Sequence, residues 1–473
     1  MPSTMTQPDP GSNGLPRLSR SLLGLHTAAP IRLLHIGLGN FHRAHQAWYT
    51  ANAPDASAWG IAAFTGRRPD TADDLAPQDG LYTLITRSAD GDAFEVIGSL
   101  AAVHPATDHQ AYLDYLRRPE VAVITITVSE AGYVRGPDGH LDRSRDVITA
   151  DAAALQANID APVSSLPGKL VAGLLARRAA DAGPISVLSC DNLPENGAVT
   201  KTVVTDLAAV VDATLLAWME EHVDFATSMV DRITPVTTPE DRSAVAEAQG
   251  YEDASPVPTE PFAEWVISGA FPAGRPAWQD AGARLVEDIT PYEQRKLWLL
   301  NASHSLLAYA GSIRGHVTID EAIADSQCRS WVEALWDEAS RHLTLPPDTI
   351  TDYRAALLQR FSNPRVRDQL SRIAADGSIK LPVRIMPTLL AERAEGRMPV
   401  GCATAVATWI LHLRGQGAPI KDPAADRARA AASADDETSA VSGVLETLYS
   451  GLGDDNALVQ VIIQQMQALA ERG

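Results

Sequence analysis

The sequence predicts an α/β fold in its first part and a mainly α-helical fold in its second part. Short apolar runs alternate with helical patterns up to about residue 285, which is typical of a mostly parallel sheet covered by helices. From Pro291 onward, long segments with helical apolar periodicity dominate. The turn Gly37-Leu38-Gly39 stands between the first strand pattern and the first helix pattern, as in the opening unit of a dinucleotide-binding domain.

The predicted strands of the first part are short. The first covers residues 31–36 and is followed by the glycine turn and by a helix over residues 41–50. A second strand is predicted over residues 59–64. Residues 121–128 and 184–189 are almost continuously apolar, which is typical of strands buried on both faces of a sheet.

The second part is predicted as a series of helices. Residues 421–438, rich in Ala and Asp, predict a mobile loop or a weak helix between two of them. The apolar-periodic segments cover residues 291–311, 319–341, 350–375, 384–395, 400–413 and 437–471.

Composition excludes several classes of protein. The 473 residues are 45% hydrophobic and 21% charged, as in a globular protein, and carry a formal net charge of −20. This charge argues against a protein that binds nucleic acid or an anionic membrane, since either needs a basic surface. No run of 18 apolar residues predicts a membrane span. Three widely spaced cysteines predict neither a disulfide framework nor a structural zinc site, and they favour a cytoplasmic location.

The glycine turn has a functional and a structural interpretation. Gly37 would permit the tight turn, and Gly39 would let the backbone approach a pyrophosphate at the helix N-terminus. His42 stands where the third glycine of the full fingerprint would be, so a turn without a ligand remains an alternative. The acidic residue expected after the second strand is also missing. Arg67 and Arg68 stand there, and they favour either a 2′-phosphate, as on NADP, or a solvated turn.

Lys296, Asn301 and His304 form the most informative polar group, because they interrupt a strongly apolar run. At about 100° per residue, Asn301 and His304 lie roughly 140° and 80° round the helix from Lys296, on one broad face. A lysine partly desolvated by its apolar neighbours would lose its proton more readily and could act as a general base. Glu293 lies one turn before it. A snorkelling lysine and a buried structural histidine are the alternatives.

Three further positions are weaker candidates. Asp191-Asn192 ends a buried strand, at the edge where open α/β sheets bind ligands, but the same pair is also common in turns. Arg372 and Lys380 are polar candidates in the second part, and a solvated helix end explains them equally well. No motif predicts a catalytic metal.

Several segments, spread in order from about residue 30 to residue 385, resemble one known family. The chain is similar in them to the polyol-specific long-chain dehydrogenases, which include mannitol 2-dehydrogenase and fructuronate (mannonate) reductase. The matching segments are Gly37–Gln46, Thr127–Tyr133, Ser189–Asn192, Met229–Pro235, Gly274–Pro276, Pro291–His304, Arg360–Pro364 and Asp376–Pro382.

The resemblance implies a domain organisation and an activity. It implies an expanded Rossmann-type coenzyme domain over residues 27–285 and a mainly α-helical substrate domain over residues 286–473. The flexible tail predicted over residues 1–26 rests on composition instead, because the first 20 residues are rich in Pro, Ser and Gly and lack an apolar segment. The site would lie in the cleft between the two domains. The implied activity is hydride transfer, without a metal, between NAD and C2 of a small sugar alcohol or 2-ketose, with NADP as the alternative coenzyme. The family also implies a monomer.

The resemblance assigns roles residue by residue. Lys296 would be the general acid/base, and Asn192 and Asn301 would hold the charge on the C2 oxygen. His304 would bind a neighbouring hydroxyl, and Glu293 would relay the proton. The rest of the sugar would be bound by Asp231, Arg372 and Lys380, and the coenzyme by Gly37, Gly39, Asn40, Phe41, Arg67 and Glu130.

Three functions stay open on the sequence. Oxidation of D-mannitol to D-fructose is the first. Reduction of fructuronate to mannonate, or turnover of another polyol or hexonate, is the second. The motif Asp376–Pro382 resembles the fructuronate reductase branch, whereas Arg372 resembles the mannitol branch. The third is a dinucleotide-sensing protein without turnover, against which Lys296, Asn301, His304 and Asn192 together argue.

Overall fold

The computed structural model describes residues 14–25 and 27–470. The chain divides into two compact units, with the division between Ile289 and Thr290, close to the boundary predicted at residues 285 and 286. The first unit contains a mostly parallel sheet with helices, and the second is mainly helical. The predicted fold class is therefore confirmed.

The first unit is organised around an eight-stranded sheet in its described part, with the strand order β11-β10-β8-β7-β6-β1-β2-β5. All neighbours in it are parallel except β8 and β10. A smaller sheet has the order β4-β3-β9. The strands are β1 Ile31–Ile36, β2 Gly60–Phe64, β3 Tyr82–Ser88, β4 Gly91–Ile97, β5 Leu100–His104, β6 Val123–Ile126, β7 Ile185–Ser189, β8 Val223–Asp231, β9 Val257–Thr259, β10 Glu264–Ser268 and β11 Arg284–Leu285.

The helices of the first unit connect these strands and cover the large sheet. Strand β1 lies between β2 and β6. The sheet is extended from β1 through β2 to β5 on one side, and from β6 through the later strands on the other side. In open α/β sheets, ligands bind beside such a switch point, at the carboxyl ends of the strands. The helices are α1 Asn40–Ala44, α2 Gln46–Ala51, α3 Asp70–Leu75, α4 His109–Leu116, α5 Asp146–Ala157, α6 Leu166–Ala179, α7 Asn196–Val211, α8 Thr214–His222 and α9 Pro239–Gln249.

Both faces of the large sheet are buried, which explains the continuous apolar runs of the central strands. In β1, Leu34 and Ile36 join one core cluster and Leu33 joins another, because successive side chains point to opposite faces. In β6, Ile124 and Val123 are divided between the same two clusters. The predicted strands are found at β1, with the predicted ends, and at β2, β6 and β7, with ends shifted by one or two residues.

The single helix predicted over residues 41–50 is wrong. The structure has two helices, α1 and α2, with a break at His45. The His45 backbone leaves helical geometry at φ −121° and ψ −88°, and its ring Nε2 donates to Glu264 O at 2.9 Å. This bond ties the break to strand β10.

The predicted flexible tail must be corrected for its described part. Residues 1–13 and 26 lie outside the described residues, whereas Leu18 is fully buried in a small cluster that includes Tyr251. The Leu18 N–H donates to Glu252 O at 2.9 Å, and Arg20 Nη2 donates to two carbonyl oxygens of the β4–β5 region at 3.0 Å. An apolar side chain with a burial site is a sufficient reason for this stretch to be packed.

The second unit is a bundle of helices. The helix predicted over residues 350–375 ends at Phe361, and a new helix begins at Leu370. Residues 421–438, predicted as a mobile loop or a weak helix, contain the helix Asp426–Ala432. The elements are α10 Thr290–Arg295, a π-helix Lys296–Asn301, α11 Ala302–Ile313, α12 Ile319–Ala324, α13 Ser326–Ser340, α14 Pro347–Phe361, α15 Leu370–Ile373, α16 Gly377–Arg384, α17 Met386–Ala394, α18 Val400–Leu413, α19 Asp426–Ala432, α20 Glu437–Leu448 and α21 Asn456–Ala470. Across residues 14–25 and 27–470, no helix has the length and apolar character needed to cross a membrane.

Candidate active site

A cavity of about 990 Å³ opens in the first unit beside the carboxyl ends of β1, β2 and β6. All the residues that line it lie between Ile36 and Lys169 in the sequence, so all of them belong to the first unit. Gly37, Arg67 and Glu130, three of the predicted coenzyme-binding residues, line it. This position beside β1 is where a ligand of such a sheet is expected.

Gly37 shapes the turn at the mouth of this cavity. Its φ is +107°, in the region that favours glycine, and the N–H groups of Gly37 and Leu38 both donate to Phe64 O at 2.9 Å. A Cβ at position 37 would lie 1.9 Å from Thr127 O. The turn is therefore held against both neighbouring strands, β2 and β6, and only glycine fits it.

Gly39, Asn40 and Phe41 lie outside the lining of this cavity. The Asn40 side chain donates to Thr237 Oγ1 at 3.0 Å and to Pro235 O at 3.2 Å, so its amide holds another loop of the first unit. The Phe41 ring stacks on His45 with the ring centres 5.1 Å apart. A role of these three residues in coenzyme binding stays a prediction.

His42 occupies the position of the missing third glycine. Its ring stacks on His35 of β1 with centres 3.3 Å apart, and both rings are fully buried. Burial lowers the pKa of both histidines, which keeps them uncharged. His35 is also within 3.0 Å of the hydroxyls of Thr125 and Thr127. Helix α1 is thus packed on β1 through a ring pair in place of the close approach that a glycine allows.

The cavity is rich in cationic side chains. Arg67, Arg135, Arg145 and Lys169 line it together with the acidic Glu130 and Asp142. Residues 65–69, which follow β2, contain no carboxylate, and Thr65 Oγ1 accepts a bond from the N–H of Ala106 at 2.9 Å. The glycine turn and this excess of positive charge fit a ligand that carries phosphates, as a dinucleotide does.

Asp191 lies just after the end of β7, and its side chain is hydrogen-bonded to Val128 in the cavity wall. Asn192, a predicted site residue, is the next residue in the chain. Asp191 Oδ1 accepts from the N–H of Val128 at 2.5 Å, and Asp191 Oδ2 accepts from the hydroxyl of Tyr133. The Tyr133 and Ser189 hydroxyls lie 2.6 Å apart. Sequence reasoning placed Asp191 at a ligand-binding edge without assigning it a role. A carboxylate directly after a buried strand is the signal that points to it.

Burial raises the pKa of Asp191 to about 7, against the opposing hydrogen bonds from Tyr133, Val128 and Ser189. Between about pH 4 and pH 7, the folded chain holds a proton on Asp191 that the unfolded chain has released, so this group makes stability fall as pH rises. We expect the Asp191→Asn variant to become steadily more stable relative to the wild type across this window, by up to about 1.4 kcal/mol per pH unit. Urea-unfolding midpoints at pH 5, 6, 7 and 8 measure this difference.

The half-buried Asp142 provides the control for this measurement. Its pKa is lowered, chiefly by the hydroxyl of Ser144, so Asp142→Asn removes a charge without removing a raised pKa. Parallel stability curves for the wild type and Asp191→Asn over the same pH range would contradict the expectation.

The second unit holds Lys296, Asn301 and His304 on one continuous helical stretch. Residues Lys296–Asn301 form a π-helix, so the α-helical angle assumed from the sequence does not apply between the first two. In a π-helix, backbone bonds join residues five apart, which places Asn301 a little more than one turn along from Lys296 and roughly 50° round the helix from it. The structure therefore brings this pair closer to a common direction than the predicted angle of roughly 140°.

These side chains are partly or largely withdrawn from solvent. Lys296 and Asn301 are 9% and 8% exposed. His304 is half-buried, and its ring centre lies 5.1 Å from that of Phe361. Glu293 lies in α10, just before the π-helix. Donors and a lysine in such a place can act on an oxygen atom in a medium of low polarity, where hydrogen bonds are stronger than in water.

Arg372 and Lys380 lie in the same region of the second unit. The Arg372 guanidinium bonds to Asp368 at 2.5 Å and 3.1 Å. Lys380 Nζ donates to Ala375 O at 2.6 Å and to Ile373 O at 3.2 Å, and burial lowers the pKa of Lys380.

Asn192 and Asp231 belong to the first unit, each at or just after a strand end. A joint role for the residues of the two units stays a prediction.

Within the ranges that the structure covers, no group of three or more His, Cys, Asp and Glu side chains is arranged to hold a metal ion. Cys190, Cys328 and Cys402 are buried thiols without disulfide bonds.

Comparison with known proteins places both units in one family. The model of the mannitol dehydrogenase Rossmann domain matches residues 31–280, and that of the mannitol dehydrogenase C-terminal domain matches residues 288–470. The two matches together cover most of the chain, and the gap between them, residues 281–287, ends two residues before the division between the two structural units.

Individual relatives carry different names. D-mannonate oxidoreductase of Escherichia coli (strain K12) is 35% identical over 466 residues, which covers 95% of this chain and 95% of that protein. D-arabinitol 4-dehydrogenase of Ralstonia nicotianae is 40% identical over 399 residues, covering 82% and 84%. The solved structure of Pseudomonas fluorescens mannitol 2-dehydrogenase with NAD and D-mannitol is 34% identical, with a TM-score of 0.78 over 97% of this chain and 94% of that one.

Proposed function

We propose that this chain, which belongs to the mannitol dehydrogenase family, is an NAD(P)-dependent dehydrogenase that interconverts a sugar alcohol and its 2-ketose at C2. The observation that carries the proposal is the grouping of Lys296, Asn301 and His304 on the π-helix and the start of α11. D-mannitol and D-fructose are the proposed pair, in line with the similarity to the solved mannitol 2-dehydrogenase.

The residues of the chain divide the chemistry between them. When bound, the nicotinamide supplies the acceptor for the hydride that leaves C2. Lys296 in its neutral amine form takes the proton from the C2 hydroxyl, and the resulting ammonium stabilises the negative charge that develops on the oxygen. Asn301 and Asn192 donate hydrogen bonds to the same oxygen. Losing one donor of this kind typically costs about 2.7–4 kcal/mol in the barrier.

The remaining residues orient the sugar and move the proton onward. His304 binds the hydroxyl next to C2, and Glu293 accepts the proton from Lys296 and passes it to solvent. Asp231, Arg372 and Lys380 bind the far part of the open-chain substrate. No metal takes part in this scheme, because an ammonium and two amide donors carry the charge that a metal would otherwise hold.

The coenzyme is bound at the cavity of the first unit. We place the pyrophosphate at the Gly37 turn, and NAD is the proposed coenzyme, as in the solved complex of Pseudomonas fluorescens mannitol 2-dehydrogenase with NAD and D-mannitol. Arg67 at the end of β2 favours NADP as the alternative, since a guanidinium there suits a 2′-phosphate and a carboxylate suits the free 2′-hydroxyl. The two dissociation constants, measured by calorimetry, decide between them.

Fructuronate reduction to mannonate is the second candidate, and one arrangement favours it. Lys380 Nζ donates to the backbone carbonyl oxygens of Ile373, the last residue of α15, and of Ala375, which lies between α15 and α16. Arg372 also belongs to α15. Two cationic side chains in one part of the second unit suit a substrate that carries a carboxylate. The relative named D-mannonate oxidoreductase agrees with this chemistry.

A substrate panel tests the proposal. The purified protein is incubated with D-mannitol, D-arabinitol and D-mannonate plus NAD or NADP, and with D-fructose and fructuronate plus NADH or NADPH, while absorbance at 340 nm is followed. We expect turnover of mannitol and fructose. Preference for mannonate and fructuronate would replace the first candidate by the second. Coenzyme binding without turnover of any compound in the panel would favour a dinucleotide-sensing protein and overturn the proposal.

A further inference from the structure

The π-helix Lys296–Asn301 is a change of hydrogen-bond register inside an otherwise α-helical stretch. At its end, the N–H of Ala302 is shared between the carbonyl oxygens of Leu297, five residues back, and Leu299. Such a wide turn disturbs the regular pairing of donors and acceptors, so it persists only where other groups stabilise it. The structure shows which groups these are.

The carbonyl oxygen of Leu299 accepts two side-chain bonds. Trp336 Nε1, from α13, lies 3.0 Å from it, and Ser303 Oγ lies 2.5 Å from it. Trp336 Nε1 and Ser303 Oγ are themselves 2.6 Å apart, so the three groups form a closed set. Trp336 is 1% exposed and Ser303 is 0% exposed. Because no water replaces a lost donor at such a buried position, these bonds contribute to the stability of the turn.

A second carbonyl of the turn is also held from outside. Asn301 O accepts from Arg384 Nη1 at 3.2 Å, and the same guanidinium nitrogen donates to Ser305 Oγ at 3.1 Å. Side chains from α13 and α16 therefore donate hydrogen bonds to two backbone carbonyl oxygens of the π-helix, those of Leu299 and Asn301.

The register decides where the polar side chains point. In the π register Asn301 lies roughly 50° round the helix from Lys296, because backbone bonds join residues five apart. Removing the extra residue from the turn would rotate α11 by about 100° relative to Lys296. Asn301 and His304 would then lie roughly 140° and 80° round the helix from Lys296, which widens the angle between the Asn301 amide and the Lys296 amine.

We infer that Trp336 and Ser303 are positioning residues that hold the π register and so keep the Lys296 amine and the Asn301 amide directed at one atom of the substrate. This inference rests on the proposed function, in which both groups act on the C2 oxygen. It adds two residues that touch no reacting atom and belong to none of the roles described above.

Two small substitutions test it. Ser303→Ala removes one hydroxyl, and Trp336→Phe removes the indole donor and keeps an aromatic ring. We expect kcat for the preferred polyol to fall by about 10-fold to 100-fold in each, since small misplacements of reacting groups cost this much. KM and the coenzyme dissociation constant should change less than about threefold, because substrate contacts other than those to C2 remain. A variant that was only partly folded would also show a lower kcat with an unchanged KM, so kcat is expressed per molecule that binds coenzyme, counted by calorimetric titration.

Matched controls lie on the same helices. Ser312→Ala removes a hydroxyl that donates to Ala308 O at 2.6 Å further along α11. Trp331→Phe changes a half-buried tryptophan one turn before Trp336 on α13. Both controls should retain kcat within about twofold, as expected for substitutions away from the site.

A second readout does not depend on activity. Hydrogen exchange at the amides of residues 299–304 should be at least about 10-fold faster in Ser303→Ala and in Trp336→Phe than in the wild type, because the turn loses its stabilising bonds. Crystal structures of the variants should show the α register. A folded double variant with the π register and with kcat unchanged would overturn the inference. If the wild type turned over no compound in the panel, the proposed function would fail while exchange still tested the register.

Discussion

Lys296→Ala should lose turnover while the protein still binds its coenzyme. The substitution removes the group that takes the C2 proton, and general acid/base groups typically contribute about 10²–10⁴ in rate. The coenzyme cavity is lined by residues of the first unit alone, so the dissociation constant for the coenzyme should stay the same in the variant. Stopped-flow measurement of polyol oxidation and calorimetric titration with NAD give the two numbers.

Two further variants make this result specific. Lys201 is an exposed lysine on α7, and Lys201→Ala should keep wild-type kcat. Lys296→Met keeps most of the apolar stem of the side chain, so it separates loss of the amine from loss of packing. Wild-type turnover in a folded Lys296→Ala or Lys296→Met protein would remove Lys296 from the proposed mechanism.

Gly37→Ala should unfold or strongly destabilise the first unit and abolish coenzyme binding. The new Cβ would lie 1.9 Å from Thr127 O and 2.7 Å from its carbonyl carbon, both backbone atoms that cannot move without moving β6. The φ of +107° adds strain of about 1–3 kcal/mol for any residue with a Cβ. We expect the melting temperature to fall, and any folded fraction to bind NAD more than about 10-fold more weakly.

Two other glycines separate the causes. Gly282 has a similar φ of +101° but open space around its Cβ position, so Gly282→Ala reports strain alone, about 1–2 kcal/mol. A Cβ on Gly39 meets only Gly37 O at 3.7 Å, so Gly39→Ala should fold normally and weaken coenzyme binding only if the coenzyme approaches that backbone. Equal losses of stability for Gly37→Ala and Gly282→Ala would show that the contact with Thr127 is unimportant.

The central parallel strands were predictable because their burial is visible in their composition. Strands buried on both faces read as continuous apolar runs, and β1, β6 and β7 are of this kind. Other strands lack such a signal. Strand β8 begins at Val223, directly after α8 ends at His222, so no turn residues mark its start. In β4, buried and exposed positions are mixed, and the strand belongs to the small second sheet.

The site was predictable as a set of residue types and only partly as a geometry. Lys296, Asn301 and His304 stand out because they are polar groups in an apolar run. Nothing in that run distinguishes a π turn from an α turn, since the bonds that stabilise it come from α13 and α16. Trp336 lies 33 residues from Ser303 along the chain, and no periodic pattern connects two such positions.

The sequence by itself determined the two-part architecture, the strands at the centre of the sheet, the glycine turn and the identity of the polar groups. These follow from side-chain chemistry and from the helix and strand periods, which are local properties of the chain. The tertiary structure alone decided the π register beneath Lys296, the buried His35–His42 pair and the Asp191 bonds to Val128 and Tyr133. Each of these depends on a contact between distant segments, and burial makes such a contact strong enough to override local preference.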